Sequence, residues 1–395
     1  MSELSQSFYK HVAQTSNEPM GLEIDRAEGP FIYTTDGEKY IDLISGIAVS
    51  SLGHRHPKVM HAIKKQLEKH LHVMVYGEFI QTPQSEFAQL LCDQLPHSLD
   101  RVYFVNSGTE SVEGALKLAK KFTGRSKFVA FHNSYHGDTH GSLSVTGRNV
   151  YRDPYNPLLP NVHFSDFNSD EVLEMIDNET AAVIMEPIQG EGGIIPAKKE
   201  WLQNVRKRCN ETGALLIFDE IQTGFFRTGS LFAFQYYDVV PDIMCLAKAM
   251  AGGMPMGAFV SSSEIFEVFK KDPPLNHVTT FGGHPVSCAA AHASLQTLLS
   301  DDFGARANQV EKMAIEILKG DGIVEIRGRG AMLGLQLRDA DLTQKVVKYC
   351  FGNGLILGWT LHSNSLIRIA PPLIIDKNLF EESLQTITGA IAKFI

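Results

Sequence analysis

Between residues 100 and 262 the chain repeats one pattern: a short apolar run, a polar or glycine-bearing turn, then a longer amphipathic stretch. Arg101 to Asn106, Lys127 to Phe131, Ala181 to Met185, Ala214 to Phe218 and Ile243 to Ala247 are apolar runs of strand length. Runs that are apolar on successive residues read as strands buried on both faces. Strands that alternate with helices predict an α/β fold, a mostly parallel sheet covered on both sides. Such sheets bind ligands at the carboxyl edge of their strands. The residues that end each run are therefore the ones to inspect.

The run from Ala214 ends on Asp219, and the run from Ile243 ends on Lys248, just before Gly252 and Gly253. A lysine and an aspartate in one cleft are the minimum kit for pyridoxal phosphate (PLP). The amine forms a Schiff base and the carboxylate keeps the pyridine nitrogen protonated. Taken alone, an acid at a strand end and a lysine before glycines are common. Ser107-Gly108-Thr109-Glu110 adds to them. It follows a strand directly and opens a helix that reaches Leu118, with Ser107 and Glu110 spaced as a capping box. Free amides at a helix start hold anions, so this turn reads as a phosphate site. Tyr135, four residues past a strand, could stack on a planar ring. His136, Asp138 and His140, with His54, His56 and Asp219, form an alternative set: the ligands of a metal hydrolase. That reading leaves the phosphate turn and Lys248 unexplained.

The flanking segments are simpler. Gly29 to Leu43 reads as a hairpin, two apolar runs around Asp36-Gly37, and Pro57 starts a helix predicted to run to about Leu71. A helix from Trp201 is closed by Gly213. After the loop His277 to Pro285 the chain is helical to about Leu318. Beyond Val324 the texture changes to strands with glycine-rich turns, a helix from Leu342 to Phe351 and a last amphipathic helix from Asn378 to Phe394, a smaller α+β domain. The formal charge is −9 with no basic run, which argues against nucleic-acid binding. No apolar run approaches the roughly 20 residues that cross a bilayer, and the polar N-terminus reads as lacking a signal peptide. Five scattered cysteines read as free thiols in the cytoplasm.

Seven separated motifs, in order along nearly the whole chain, resemble the class III aminotransferases of the ornithine, acetylornithine and 4-aminobutyrate type. They are Gly46 to Pro57, Ser107 to Glu110, Tyr135-His136-Gly137, Glu186 to Gly193, Asp219 to Gly224, Lys248 and Thr280 to Gly283. The resemblance implies PLP-dependent fold type I. Residues 51–290 would be the large PLP-binding domain and 291–395 the small domain, with residues 1–50 packing against the latter. It also implies roles. Lys248 carries the cofactor and moves the substrate proton. Asp219 pairs with the pyridinium nitrogen, and Gln222 touches the ring hydroxyl. Ser107, Gly108 and Thr109 hold the phosphate, Tyr135 stacks on the ring, and His136 and Glu186 belong to the cofactor wall. Thr280 reaches the neighbouring subunit's phosphate, so the active unit is a homodimer. Arg368 grips the substrate carboxylate, and Glu191 neutralises that arginine when an ω-amine is presented. The implied activity is ping-pong transfer of an amino group, from a small amino donor to a keto acid.

The sequence departs from this family in places. Asp138 stands where these branches usually carry an arginine for a second carboxylate, as in the branch acting on diaminopelargonate. Arg148 and Arg152 are the nearby candidates to replace it. Phe226 replaces a usual glycine and His284 a frequent asparagine, and both are expected to flank the site. Racemases, aminomutases and a few decarboxylases share the scaffold and form the second enzymatic reading. A non-enzymatic binding module would have no use for Lys248.

Overall fold

The structure, a computed structural model, describes residues 2–75, 77–360 and 363–395. Its centre is a seven-stranded sheet. The strands are β1 (Arg101–Val105), β2 (Lys127–Phe131), β3 (Val162–Ser165), β4 (Thr180–Met185), β5 (Leu215–Asp219), β6 (Ile243–Leu246) and β7 (Gly257–Ser261), in spatial order β1-β7-β6-β5-β4-β2-β3. Strands β2 to β6 run parallel, and β7 is antiparallel to both of its neighbours. The expected mostly parallel sheet is present, and β4 to β7 are buried along their whole length.

Successive strand residues feed two different cores. Leu215 and Ile217 pack on one side with the helix Gly108–Thr123, and Leu216 and Phe218 on the other with the helix Lys199–Thr212. The first helix lies so close to β7 that a Cβ on Gly114 would sit 2.2 Å from the Phe259 ring. Only glycine fits there. Gly213 closes the second helix with φ +68°, as expected. The helix from Pro57 ends at Leu67, four residues earlier than its apolar spacing suggested. The helical stretch after Pro285 is two helices, Pro285–Leu299 and Phe303–Ile317.

The C-terminal sheet has strands β8 (Ile323–Arg329), β9 (Met332–Leu337), β10 (Gly358–Thr360) and β11 (Ser363–Ile369), in order β8-β9-β11-β10. A third sheet joins the chain's two ends. Lys39–Asp42 pairs in parallel with Leu355–Ile356. Residues 43–51 are then stitched to 370–373: Ala370 N donates to Leu43 O at 2.7 Å, and Ser45 Oγ donates to Ala370 O at 2.7 Å.

Arg227 sits where these parts meet. It is fully buried, and its guanidinium donates to Pro371 O at 2.6 Å, Ala331 O at 3.2 Å and Ser51 Oγ at 2.9 Å. Burial lowers its pKa to about 10, still far above neutrality. Glu220 is buried likewise. It accepts from Ala233 N at 2.9 Å and Phe234 N at 2.7 Å, and from the Thr223 hydroxyl. Burial pushes its carboxyl up to about 7.

Two predictions follow from these buried groups. Arg227→Met strands two carbonyls and a hydroxyl, each costing about 1–3 kcal/mol. A denaturant titration should show a loss of about 3 kcal/mol or more, only partly recovered in Arg227→Lys. Burial raises the Glu220 carboxyl to about 7 in the folded chain, whereas in the unfolded chain it titrates near the ordinary carboxylate value of 4.5. Between those values the folded state binds more protons, so this group's contribution to stability falls as pH rises. Glu220→Gln should flatten the fall in melting temperature across that window.

Candidate active site

Five strand ends and the start of β7 border a cavity of about 670 Å³ at the carboxyl edge of the sheet. At the end of β1, Ser107 caps the helix Gly108–Thr123, its Oγ accepting from Glu110 N at 3.3 Å. The reciprocal half of the expected capping box is displaced by one residue. Glu110 Oε2 accepts from Asn106 N at 2.6 Å, not from Ser107. The amides of Gly108 and Thr109 take no protein acceptor among the described residues, so an anion can be received there.

Thr109 also bonds across to the next loop. Its Oγ1 lies 2.9 Å from Thr139 Oγ1 and 2.7 Å from Ser142 Oγ. Glu113 Oε1 accepts from Gly141 N at 2.8 Å and from the Thr139 hydroxyl. This network ties the loop after β2 to the helix after β1. The sequence reading missed it, although Glu113 is four residues from Thr109 and so shares its helix face.

Tyr135 and His136 follow β2. His136 is buried, and its Nδ1 lies 2.8 Å from Asp219 Oδ2 at the end of β5. Asp219 Oδ1 accepts from Ile221 N at 3.1 Å. His136 Nε2 is buried without a partner among the described residues. Tyr135 is half-buried, and its hydroxyl donates to Asp138 Oδ2 at 2.8 Å. Burial, and secondarily Asp138, raise the phenol's pKa above its ordinary value.

Glu186, at the end of β4, accepts from Gly190 N at 2.9 Å and Tyr135 N at 3.2 Å. Burial pushes its carboxyl up to about 7, with His136 opposing and Asp219 adding. Lys248, after β6, is held at φ +44°, a backbone region non-glycine residues rarely occupy and one found at functional sites. Desolvation lowers its ammonium pKa, opposed by Asp219 and Glu191. A depressed pKa raises the share of neutral, nucleophilic amine. Gln222 is buried on the cavity wall, against Gly190.

Ser107, Gly108, Thr109, Tyr135, His136, Glu186, Glu191, Asp219, Gln222 and Lys248 are thus brought together on one cavity. Arg368 and Thr280 do not line it. Arg368 lies on β11, an interior strand of its sheet, and is buried in an ion pair with Glu191. A surface arginine on an edge strand is therefore excluded. Thr280 is exposed.

Several expectations are corrected. Arg148 and Arg152 do not line the cavity: Arg152 lies over the Phe164 ring at 4.1 Å and bonds Asn149, and Arg148 lies over Tyr151. Phe226 is absent from the lining and packs into the core with φ +64°, a left-handed conformation that suits the family's glycine. His284 is a helix cap, its Nδ1 accepting from Val286 N at 3.3 Å, a task asparagine does as well. The metal-hydrolase set does not converge into one ligand group. His54 pairs with Asp42 and His136 with Asp219, and no group of three potential ligands occurs among the described residues.

The donor set fits pyridoxal phosphate. Open amides at a helix start suit its phosphate, a histidine-held carboxylate suits a protonated ring nitrogen, and a lysine of lowered pKa suits its carbonyl. Comparison with known proteins agrees. The sequence model "Aminotransferase class-III" matches residues 12–391. An acetylornithine aminotransferase of Methanopyrus kandleri is 43% identical over 371 residues, covering 92% of this chain and 92% of that protein. A [LysW]-aminoadipate semialdehyde/glutamate semialdehyde transaminase of Sulfolobus acidocaldarius is 38% identical, covering 94% of this chain and 95% of that one. Among solved structures, the ornithine aminotransferase of Toxoplasma gondii superposes with a TM-score of 0.91 at 28% identity, over 99% of this chain and 95% of that one. A PLP-bound amine transaminase from an uncultivated Pseudomonas species gives 0.89 at 26%, over 97% and 98%. Sequence, fold and cavity agree that this chain belongs to the class III aminotransferases, PLP-dependent enzymes of fold type I that move an amino group from an amino donor to a keto acid.

Proposed function

We propose that the enzyme takes the ω-amine of a small amino acid, with acetylornithine, ornithine and 4-aminobutyrate as the leading donors, and passes it to a keto acid in two half-reactions. The Glu191–Arg368 pair beside the cavity carries this reading. With Glu191 in place, Arg368 is neutralised, and an ω-amine end without a carboxylate can enter. With Glu191 displaced, Arg368 is free to take the α-carboxylate of a keto acid by its two-pronged fork. The similarity to the acetylornithine aminotransferase of Methanopyrus kandleri supports the same donor class.

Pyridoxal phosphate, when bound, supplies an electrophilic carbonyl and an electron-withdrawing ring. We assign the protein's own residues as follows. Ser107, Gly108 and Thr109 bind the phosphate, and Tyr135 covers the ring face. Asp219 receives the ring N–H, and His136 holds Asp219 in place. Gln222 meets the ring hydroxyl, and Glu186 fixes the Tyr135 and Gly190 backbone. Lys248 Nζ holds the cofactor, then takes the proton from the substrate's amine-bearing carbon and returns it.

Thr280, exposed here, would complete a neighbouring subunit's phosphate site in a homodimer. Exposed apolar side chains on two nearby segments support that surface: Leu71, Phe79 and Ile80, with Leu275, Val278 and Phe281, the rings of His72 and Phe281 lying 4.9 Å apart. The free thiols suit the cytoplasm. The parallel pairing of Lys39–Asp42 with Leu355–Ile356 supports grouping residues 1–50 with the small domain 291–395, apart from the PLP-binding domain 51–290. A second reading, a diaminopelargonate-type aminotransferase, is favoured by Asp138 on Tyr135, and an adenosylmethionine-8-amino-7-oxononanoate aminotransferase of Methanocaldococcus jannaschii shares the fold at 26% identity.

The purified protein incubated with PLP should be yellow, and a productive donor should discharge the colour. Acetylornithine, ornithine and 4-aminobutyrate should do so, while discharge by S-adenosylmethionine alone would favour the second reading. Lys248→Ala should lose turnover by about four orders of magnitude or more. Asp219→Asn should keep the fold and lose about 10²–10³-fold in kcat. Full turnover by either variant contradicts its role.

A further inference from the structure

Among the described residues, none from 276 to 283 lines this subunit's own cavity. Yet this loop is fastened to the elements that build the phosphate turn. Tyr103, on β1, donates its hydroxyl to His277 O at 2.9 Å. Lys117, on the helix Gly108–Thr123, donates to Asn276 O at 3.2 Å and lies 3.1 Å from His277 Nδ1. Gln84 donates to Gly283 O at 2.6 Å. A Cβ on Gly282 would lie 2.3 Å from Phe104 O, so the loop rests directly on the β1 backbone.

The clamp between these ends is a side-chain pair. Asn106 Nδ2 donates to Thr279 Oγ1 at 3.2 Å and to Glu110 Oε1 at 3.3 Å. An asparagine amide has two protons to give, and here each has an acceptor. Glu110 Oε2 also accepts from Asn106 N at 2.6 Å, which fixes the residue at its backbone as well. Thr279 Oγ1 accepts a second bond, from Gly282 N at 3.3 Å. The hydroxyl of Thr279 is therefore held from both sides, while Thr280, the next residue, is exposed. A rigid mount for an outward hydroxyl brings nothing to the cavity of the subunit that bears it. Preorganised donors matter where they meet a ligand, and a hydroxyl that donates to a charged phosphate oxygen makes one of the stronger hydrogen bonds. We propose that Thr279 is a positioning residue that acts in trans: tied by Asn106 to Glu110, it holds Thr280 in place for the neighbouring subunit's phosphate. This rests on the homodimer reading given above.

Apo protein is titrated with PLP and with pyridoxal, which lacks the phosphate, and sedimentation reports the assembly. Thr280→Ala should weaken PLP binding about tenfold and leave pyridoxal unchanged. Thr279→Val keeps the side-chain shape without the hydroxyl. It should weaken PLP about fivefold, again sparing pyridoxal, and combined with Thr280→Ala it should add nothing further. Thr279→Ser should restore the wild-type Kd. A merely structural role would weaken both ligands alike. A mixed dimer of one Lys248→Ala subunit and one Thr279→Val subunit, purified through two different tags, then separates cis from trans. Cofactor fixed by borohydride to its single Lys248 is counted as PLP is raised. That site receives Thr280 from the subunit whose Thr279 is intact, so it should titrate as wild type. Titration like the Thr279→Val homodimer would overturn the proposal, as would wild-type PLP affinity in Thr279→Val when Thr280→Ala is weakened. A monomer in sedimentation, or wild-type PLP affinity in Thr280→Ala, strikes the homodimer reading itself and the proposal with it.

Discussion

A carboxylate at the end of a strand buried on both faces needs a partner, and at Asp219 that partner is His136, 2.8 Å away. The rest of the site depends on this bond. It joins the end of β5 to the loop after β2, so Tyr135 and Asp138 have a fixed place relative to the sheet's carboxyl edge. Asp219 in turn opposes the desolvation that lowers the pKa of Lys248 after β6. Its own second oxygen accepts the Ile221 amide and begins the turn that carries Gln222. Alanine at 219 would remove the His136 contact, the acceptor for the Ile221 amide and the charge that acts on Lys248 at once.

The same requirement, that buried charge be matched, explains how distant segments are held. Glu113 gathers the loop at 139–142 onto the helix whose first turn offers the open amides. Glu191 and Arg368 bind the loop after β4 to the C-terminal sheet. Arg327, on β8, adds a bond from its Nε to Gly193 O at 2.6 Å, so the loop that bears Glu191 is gripped from the same sheet that bears Arg368. Arg227 spans residues 51, 331 and 371 from inside the core. Apart from those of Glu113, each contact crosses more than a hundred residues of sequence. Motion of Glu191 would therefore be local, a side-chain displacement within a clamped loop.

Much of the site was legible before any coordinates. Asp219 and Lys248 stood out because parallel strands are apolar throughout, so a polar residue at their end is conspicuous. Ser107 to Glu110 stood out because helix starts need oxygen and small residues. The failures were of another kind. The return bond of Glu110 went to Asn106, because side-chain reach depends on how the chain enters the helix. Phe226 and His284 looked like pocket residues by proximity in sequence, but one points into the core and the other caps a helix. Arg148 and Arg152 lay near in sequence yet were taken up by aromatic rings and local oxygens. Neither hydrophobic period nor turn chemistry carries such directions.

The sequence by itself determined the α/β class, the carboxyl-edge location of the site and the identity of its chemical groups. These follow from local periodicity, from capping and turn chemistry, and from motif order. Tertiary structure alone decided which groups face one another. It paired His136 with Asp219, and Glu191 with Arg368. Those pairings arise from strand order and from loops crossing between distant segments. The long-range geometry that sets the charge of the cavity belongs to the folded sheet, because no local stretch of residues contains both members of a pair such as His136 and Asp219.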